Sequence, residues 1–325
     1  MQTDVLVPAP TQARPAKAPV AGGPLNAAWL AFLRVNVASI ALLHFWAIQP
    51  DFDLLFSYHG YVYPDILDAS HDRFFWTLTS LQQALASLRL PVSYEGVLTA
   101  ARWAYPACLL LLGAGLLTRA AAVGALLLQL LFVQSIHLYQ YGADAFTTIA
   151  LFYCCVLPVG GSHSLDVAWR GRGAALTHQG LFLFWLRAHL SLAYFFSGVD
   201  KVVGDTWRNG EAIWKALHSH AYFSLFSLDF LAPTPFFWLA GWATILLEIG
   251  YPLGMSYARS RPWWLLGLLG MHLFIGLFMG LFFFSALMIV LNLAAYYVPS
   301  LPPAGQAPAR ASEPERGAIY IATRQ

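Results

Sequence analysis

Residues 262–298 read PWWLLGLLGMHLFIGLFMGLFFFSALMIVLNLAAYYV and contain no Asp, Glu, Lys or Arg. As one straight helix rising 1.5 Å per residue, this run would be about 55 Å long, nearly twice a hydrocarbon core of about 30 Å. Gly280 near its middle supplies a tight turn, so the run predicts two spans, 262–280 and 281–298. The same criterion, about 20 apolar residues per crossing, finds six further segments upstream: 27–48, 97–117, 120–139, 143–159, 180–199 and 234–256.

The composition of the 325 residues agrees. Hydrophobic residues make up 58% and charged residues 10%, against about 45–50% and about 25% in soluble chains. Twelve Trp, 15 Tyr and 23 Phe suit a lipid-facing surface with interfacial anchors. The expectation is an all-α integral membrane protein with about eight transmembrane helices plus one or two amphipathic or re-entrant helices, surrounded by membrane lipid. Residues 73–90 put Phe74, Leu78, Leu81, Leu85 and Leu88 on one stripe, which predicts an amphipathic helix. Residues 211–230, with Ile213, Trp214 and Leu217, predict a second short or re-entrant helix. Either could be a lid that only seals the bundle. The transmembrane domain occupies 25–299, between Pro/Ala-rich tails 1–24 and 300–325 that read as disordered.

Several function classes are excluded. A net charge of +2 without a Lys/Arg run rules out a nucleic-acid partner. Cys108, Cys154 and Cys155 sit in apolar stretches without CxxC spacing, so neither a disulfide framework nor a metal site is expected. His44, His137, His189 and His272 fall on four spans, and bis-His haem ligation needs two that face each other. No recognisable haem pair is presented, and no haem is predicted. Transport finds no support in an inverted repeat.

Positive charge orients the chain. With both termini in the cytosol of a bacterial plasma membrane, the inside loops hold ten Lys/Arg, among them Arg119, Arg170, Arg172, Arg259 and Arg261. The outside loops hold five: Arg73, Arg89, Lys201, Arg208 and Lys215. Eleven of the acids fall outside, so the polar chemistry is expected on the extracytoplasmic face.

Ionisable groups at membrane depth are costly and are functional candidates by default. Arg34 and Arg102 lie near span ends, where they can snorkel to the interface. Glu248 lies mid-span in WATILLEIGYPLG, where it must be neutral, paired with a group such as Arg187 or His189, or open to a polar cavity. The densest feature is YFFSGVDKVVGDTWRNG at 194–210. Tyr194, Ser197 and Lys201 share one helical face, offset by three, four and seven residues. Desolvation of Lys201 would favour a neutral amine able to act as base or nucleophile. The competing reading is an ion pair of Lys201 with Asp200 or Asp205.

This segment resembles the family of horizontally transferred transmembrane (HTTM) domains, which includes the membrane portion of vitamin K-dependent gamma-carboxylase. Four further stretches follow in the same order: LAFLRVNVASIAL with Arg34, PVGGSHSLD with Ser164 and Asp166, LLEIGYPLG with Glu248, and MHLFIGLFMGLFFFSALM with His272. The resemblance covers about residues 26–298. It implies that Lys201 is a catalytic base deprotonating a quinol, with vitamin K or menaquinone hydroquinone as the lipid-soluble co-substrate. The quinol is oxidised to an epoxide while a proton leaves glutamate. Tyr194, Asp205 and Trp207 would shape the pocket, and Glu248 and His272 would be its inner polar contacts.

Departures from the family pattern bear on the activity. Ala143-Asp144 stands here near the position where the carboxylase has an Asn-His pair, so the supporting imidazole would have to come from His137 or His218. Asp200 interrupts a lysine doublet. The chain also stops soon after the eighth span, without the soluble domain that grips a protein substrate. The alternative is a non-catalytic factor for maturation, export or immunity of a secreted peptide, as in the sporulation-delaying-protein B group of the same family.

Overall fold

The computed structural model describes residues 26–70, 76–171, 178–218, 225, 226, 228 and 235–302. The expected tails therefore lie outside the described residues except for 300–302, as do Phe74 and most of 218–234. Every regular element among the described residues is helical.

In chain order, α1 (Ala28–Ala47) is followed by short α2 (Phe52–Phe56) and α3 (Pro64–Ala69), then α4 (Leu78–Ser87). The long helices α5 (Tyr94–Ala114), α6 (Thr118–Ser135) and α7 (Gly142–Val156) come next, then α8 (Leu165–Arg170). Helix α9 (Gln179–Val203) leads into α10 (Asp205–Arg208) and α11 (Glu211–Leu217). The chain continues through α12 (Pro235–Ile249), α13 (Tyr251–Ser256), α14 (Arg261–Met279) and α15 (Phe282–Asn292). A π-helical turn (Leu293–Tyr297) and a 3-10 turn (Val298–Ser300) extend the last of these.

Among the described residues, six helices are long and apolar enough to cross a membrane: α1, α5, α6, α9, α14 and α15 with its extension to Ser300. Helices α7 and α12 are apolar but only 15 residues each, about 22 Å of helix against a core of about 30 Å. This is an all-helical membrane protein.

The physical reasons are local. Gly280, at φ 74°, makes the expected turn between α14 and α15. The segment expected as one span over 234–256 instead breaks at Gly250 into α12 and α13. Pro252, in the first turn of α13, has no N–H to continue the hydrogen-bond ladder. Helix α1 is the centre of one half, packing on α5, α7 and α15, with Trp29, Leu30, Leu33 and Val37 fully buried. Helix α12 packs on α9 and α14 in the other half.

The amphipathic segment expected at 73–90 is helical from Leu78, where Thr77 and Ser80 form a reciprocal cap. Leu78 is buried, and Leu81 and Leu85 pack on the core, but Leu88 points outward and is exposed. Within 211–230, Ile213 and Leu217 of α11 are buried against Phe237.

Candidate functional site

Close approach of α9 and α12 sets up the site. A side chain at Gly198 would place its Cβ 2.7 Å from Ile249 Cγ1 and 3.0 Å from Glu248 Cβ. Only glycine lets the two backbones come this near. One turn further along α9, Lys201 Nζ lies 2.8 Å from Glu248 Oε2 and donates to Ser197 Oγ at 2.6 Å. Both charged side chains are largely withdrawn from solvent, at 15% and 8% exposure. The ammonium sits 4.9 Å from the centroid of the Trp207 ring, within cation–π range. Lys201 thus has a carboxylate, a hydroxyl and an aromatic face around one nitrogen.

Along the shared face of α9 lies a second, wholly buried network. Tyr251 donates to Asn292 Oδ1 at 2.9 Å, and Asn292 Nδ2 donates to Tyr194 Oη at 2.8 Å. Tyr194 Oη is 2.6 Å from His272 Nε2. The direction of this bond follows the imidazole tautomer, which the other ring nitrogen, Nδ1, would set through a partner of its own. That Nδ1 and Ser285 Oγ are buried without a hydrogen-bond partner among the described residues. The Tyr194 and Tyr251 rings stack at 4.4 Å.

The residues expected to act together therefore divide. Lys201, Glu248 and Trp207 converge, and Tyr194 meets His272. Asp205 is not with them: it pairs with Arg208 one turn on, and its side chain is 85% exposed. The reading of Lys201 as partner to Asp200 or Asp205 is replaced by Glu248, and Glu248 pairs with Lys201 rather than with Arg187 or His189. Arg187 donates to the Ala295 carbonyl at 2.8 Å, and His189 meets Tyr153 Oη at 2.9 Å.

Arg34 does not snorkel. It is 1% exposed and donates to the carbonyls of Val159 at 2.8 Å and His163 at 2.6 Å. Arg102 pairs with Asp53 at 3.3 Å over the Phe52 ring. Among the imidazoles, His44 rather than His137 or His218 stands beside Asp144, at 3.9 Å.

Beyond Trp207, a cavity of about 510 Å³ is lined by Asn209, Gly210, Trp214, Phe237 and Trp238. Trp214 Nε1 is buried without a partner among the described residues. On the cavity rim Glu211 accepts from Lys215 at 2.7 Å, and this bond holds its carboxyl below the usual range. Asn292 and Tyr251 escaped the sequence reading, although a lone Asn in the apolar run 281–298 is a signal of buried polarity.

No family model, curated protein or solved structure matches this chain. The site therefore defines a class only: a helical membrane protein with a buried Lys–Glu pair at one end of a long helix.

Proposed function

We propose that the chain is an HTTM-type enzyme of eight spans in a bacterial plasma membrane, both termini cytosolic, in which Lys201 is the base toward a lipid-soluble quinol on the extracytoplasmic side. The observation that carries this reading is the convergence of Glu248, Ser197 and Trp207 on Lys201 Nζ. A base must be a neutral amine. Proton movement along the 2.8 Å bond to Glu248 yields amine and carboxylic acid, a pair without charge that an apolar interior tolerates better than separated ions. Ser197 then fixes the amine, and the Trp207 face favours the ammonium formed when a proton is taken up.

The aromatic cavity beside Trp207 has the size and lining that suit a quinone ring, and the Trp214 N–H is a donor in want of an oxygen. When bound, a reduced quinone supplies the acidic hydroxyl and the electrons delivered to dioxygen. Seven residues back along α9 from Lys201, Tyr194 is bonded to Asn292 and His272 in one buried arrangement.

The test is aerobic incubation of purified protein with reduced vitamin K or menaquinol analogues, wild type beside Lys201→Ala, with epoxide and quinone read by mass. Epoxide from wild type and background from the variant is the expected result. Equal background in both overturns the proposal and leaves the non-catalytic peptide-maturation factor.

A further inference from the structure

The other end of the bundle carries a cavity that the quinol reading does not use. It measures about 430 Å³ and lies between the start of α6, the loop after α7 and α8, lined by Thr118, Arg119, Ala120, Gly160, Asp166 and Arg170 among others. Charge counting puts these loops in the cytosol. Lys201 lies 22 residues along α9 from Gln179, about 33 Å of helix away from this face.

Two features make this cavity a built site. Its wall is fixed from behind by Arg34, whose guanidinium holds the Val159, Ser162 and His163 carbonyls. Its lining is strained at Leu117, which adopts φ 47°, a conformation costly for side chains with a Cβ. The charges are also unbalanced. Arg119 and Arg170 are exposed, and neither forms a salt bridge or hydrogen bond among the described residues. The single carboxylate in the lining is already engaged, because Asp166 accepts from the Leu117 and Thr118 N–H groups at 2.9 Å each and from Thr118 Oγ at 2.6 Å. The cavity thus offers two exposed guanidiniums without a salt bridge, Arg170 near enough to attract Asp166, over a carboxylate already held by three donors.

We propose that this cavity binds a phosphate group, the headgroup of an anionic phospholipid of the inner leaflet. Guanidinium forks match phosphate oxygens in pairs, and basic pockets between spans on the cytoplasmic side are where such headgroups seat. The site is independent of the chemistry at Lys201.

The test uses the full chain in neutral detergent, with phosphatidylglycerol, phosphatidylcholine or inorganic phosphate added, reading bound lipid by native mass spectrometry and the unfolding midpoint. Wild type should retain phosphatidylglycerol over phosphatidylcholine, and the Arg119→Gln/Arg170→Gln variant should lose on the order of tenfold in retention, as expected for lost charge-assisted contacts. Arg259→Gln, at an exposed arginine away from the cavity, should retain it fully. Arg119→Lys/Arg170→Lys should fall between them, which guards against misreading a folding defect. Displacement of the lipid by millimolar inorganic phosphate would support the phosphate site and identify its source as soluble. Equal phosphatidylglycerol retention by wild type and the double Gln variant overturns the proposal.

Discussion

Lys201 and Glu248 lie 47 residues apart in sequence, yet their charged atoms meet at 2.8 Å where α9 and α12 touch. This contact joins α9 to α12, and it does so with both groups withdrawn from water. Removing one partner strands the other in an apolar setting. Lys201→Met or Glu248→Leu alone is expected to cost about 3–5 kcal/mol, whereas the two together should return close to wild-type stability. Thermal midpoints of the four proteins in one detergent form the cycle, and additive losses would show that the pair carries no coupling. The double variant also separates roles, since it should be folded and yet form no epoxide.

Tyr194 sits between two groups that depend on it. Its hydroxyl accepts from Asn292 Nδ2 and lies 2.6 Å from His272 Nε2. Tyr194→Phe preserves the stacking on Tyr251 and deletes only the hydroxyl, so any loss comes from two buried atoms left unmatched. The expected cost is about 1–3 kcal/mol, read as a lowered unfolding midpoint. His272→Leu added to Tyr194→Phe should recover part of it, because the imidazole has no other hydrogen-bond partner among the described residues, and a further loss from that second change would contradict the network.

The sequence was most informative where composition alone decides and least where distance in the chain hides a partner. The run 262–298 announces two spans because nothing charged interrupts it and Gly280 permits the turn. The face shared by Tyr194, Ser197 and Lys201 is legible because helical spacing is local, and Lys201 does bond Ser197. Glu248 was legible as a residue in need of a partner, but not as the partner of Lys201. Asp200 and Asp205 look better placed in sequence, yet both are exposed. What selects Glu248 is the close helix approach at Gly198, a tertiary fact. The break at Gly250 was passed over because apolar content runs smoothly through it, although Gly250 and Pro252 mark it in the sequence.

Orientation is open to direct measurement. Ser87 at the end of α4 and Ala168 in α8 are both exposed, and charge counting assigns them to opposite sides. In a variant freed of Cys108, Cys154 and Cys155, Ser87→Cys should react with an impermeant thiol reagent applied to intact cells. Ala168→Cys should react only after lysis. The reverse pattern would move Lys201 to the cytosolic face and remove the spatial argument for its proposed role.

Asp166 of α8 is a carboxylate whose titration should be visible in stability. Burial by itself would raise the Asp166 carboxyl, but the Thr118 hydroxyl, the Thr118 and Leu117 N–H groups and the attraction of Arg170 outweigh it and hold it below the usual aspartate value. A group depressed in the folded state binds its proton more readily when the chain is unfolded. Its contribution is therefore complete above the unfolded value of about 3.9 and is lost as pH falls through the lower folded value. The gap in unfolding midpoint between wild type and Asp166→Asn should be constant from pH 7 to about pH 5. Below about pH 4 it should narrow, because wild type gives up what the variant never had. Midpoints taken at half-unit steps from pH 7 to pH 3 decide the matter, and a gap that stays constant to pH 3 would mean that the three donors do not favour the ionised form.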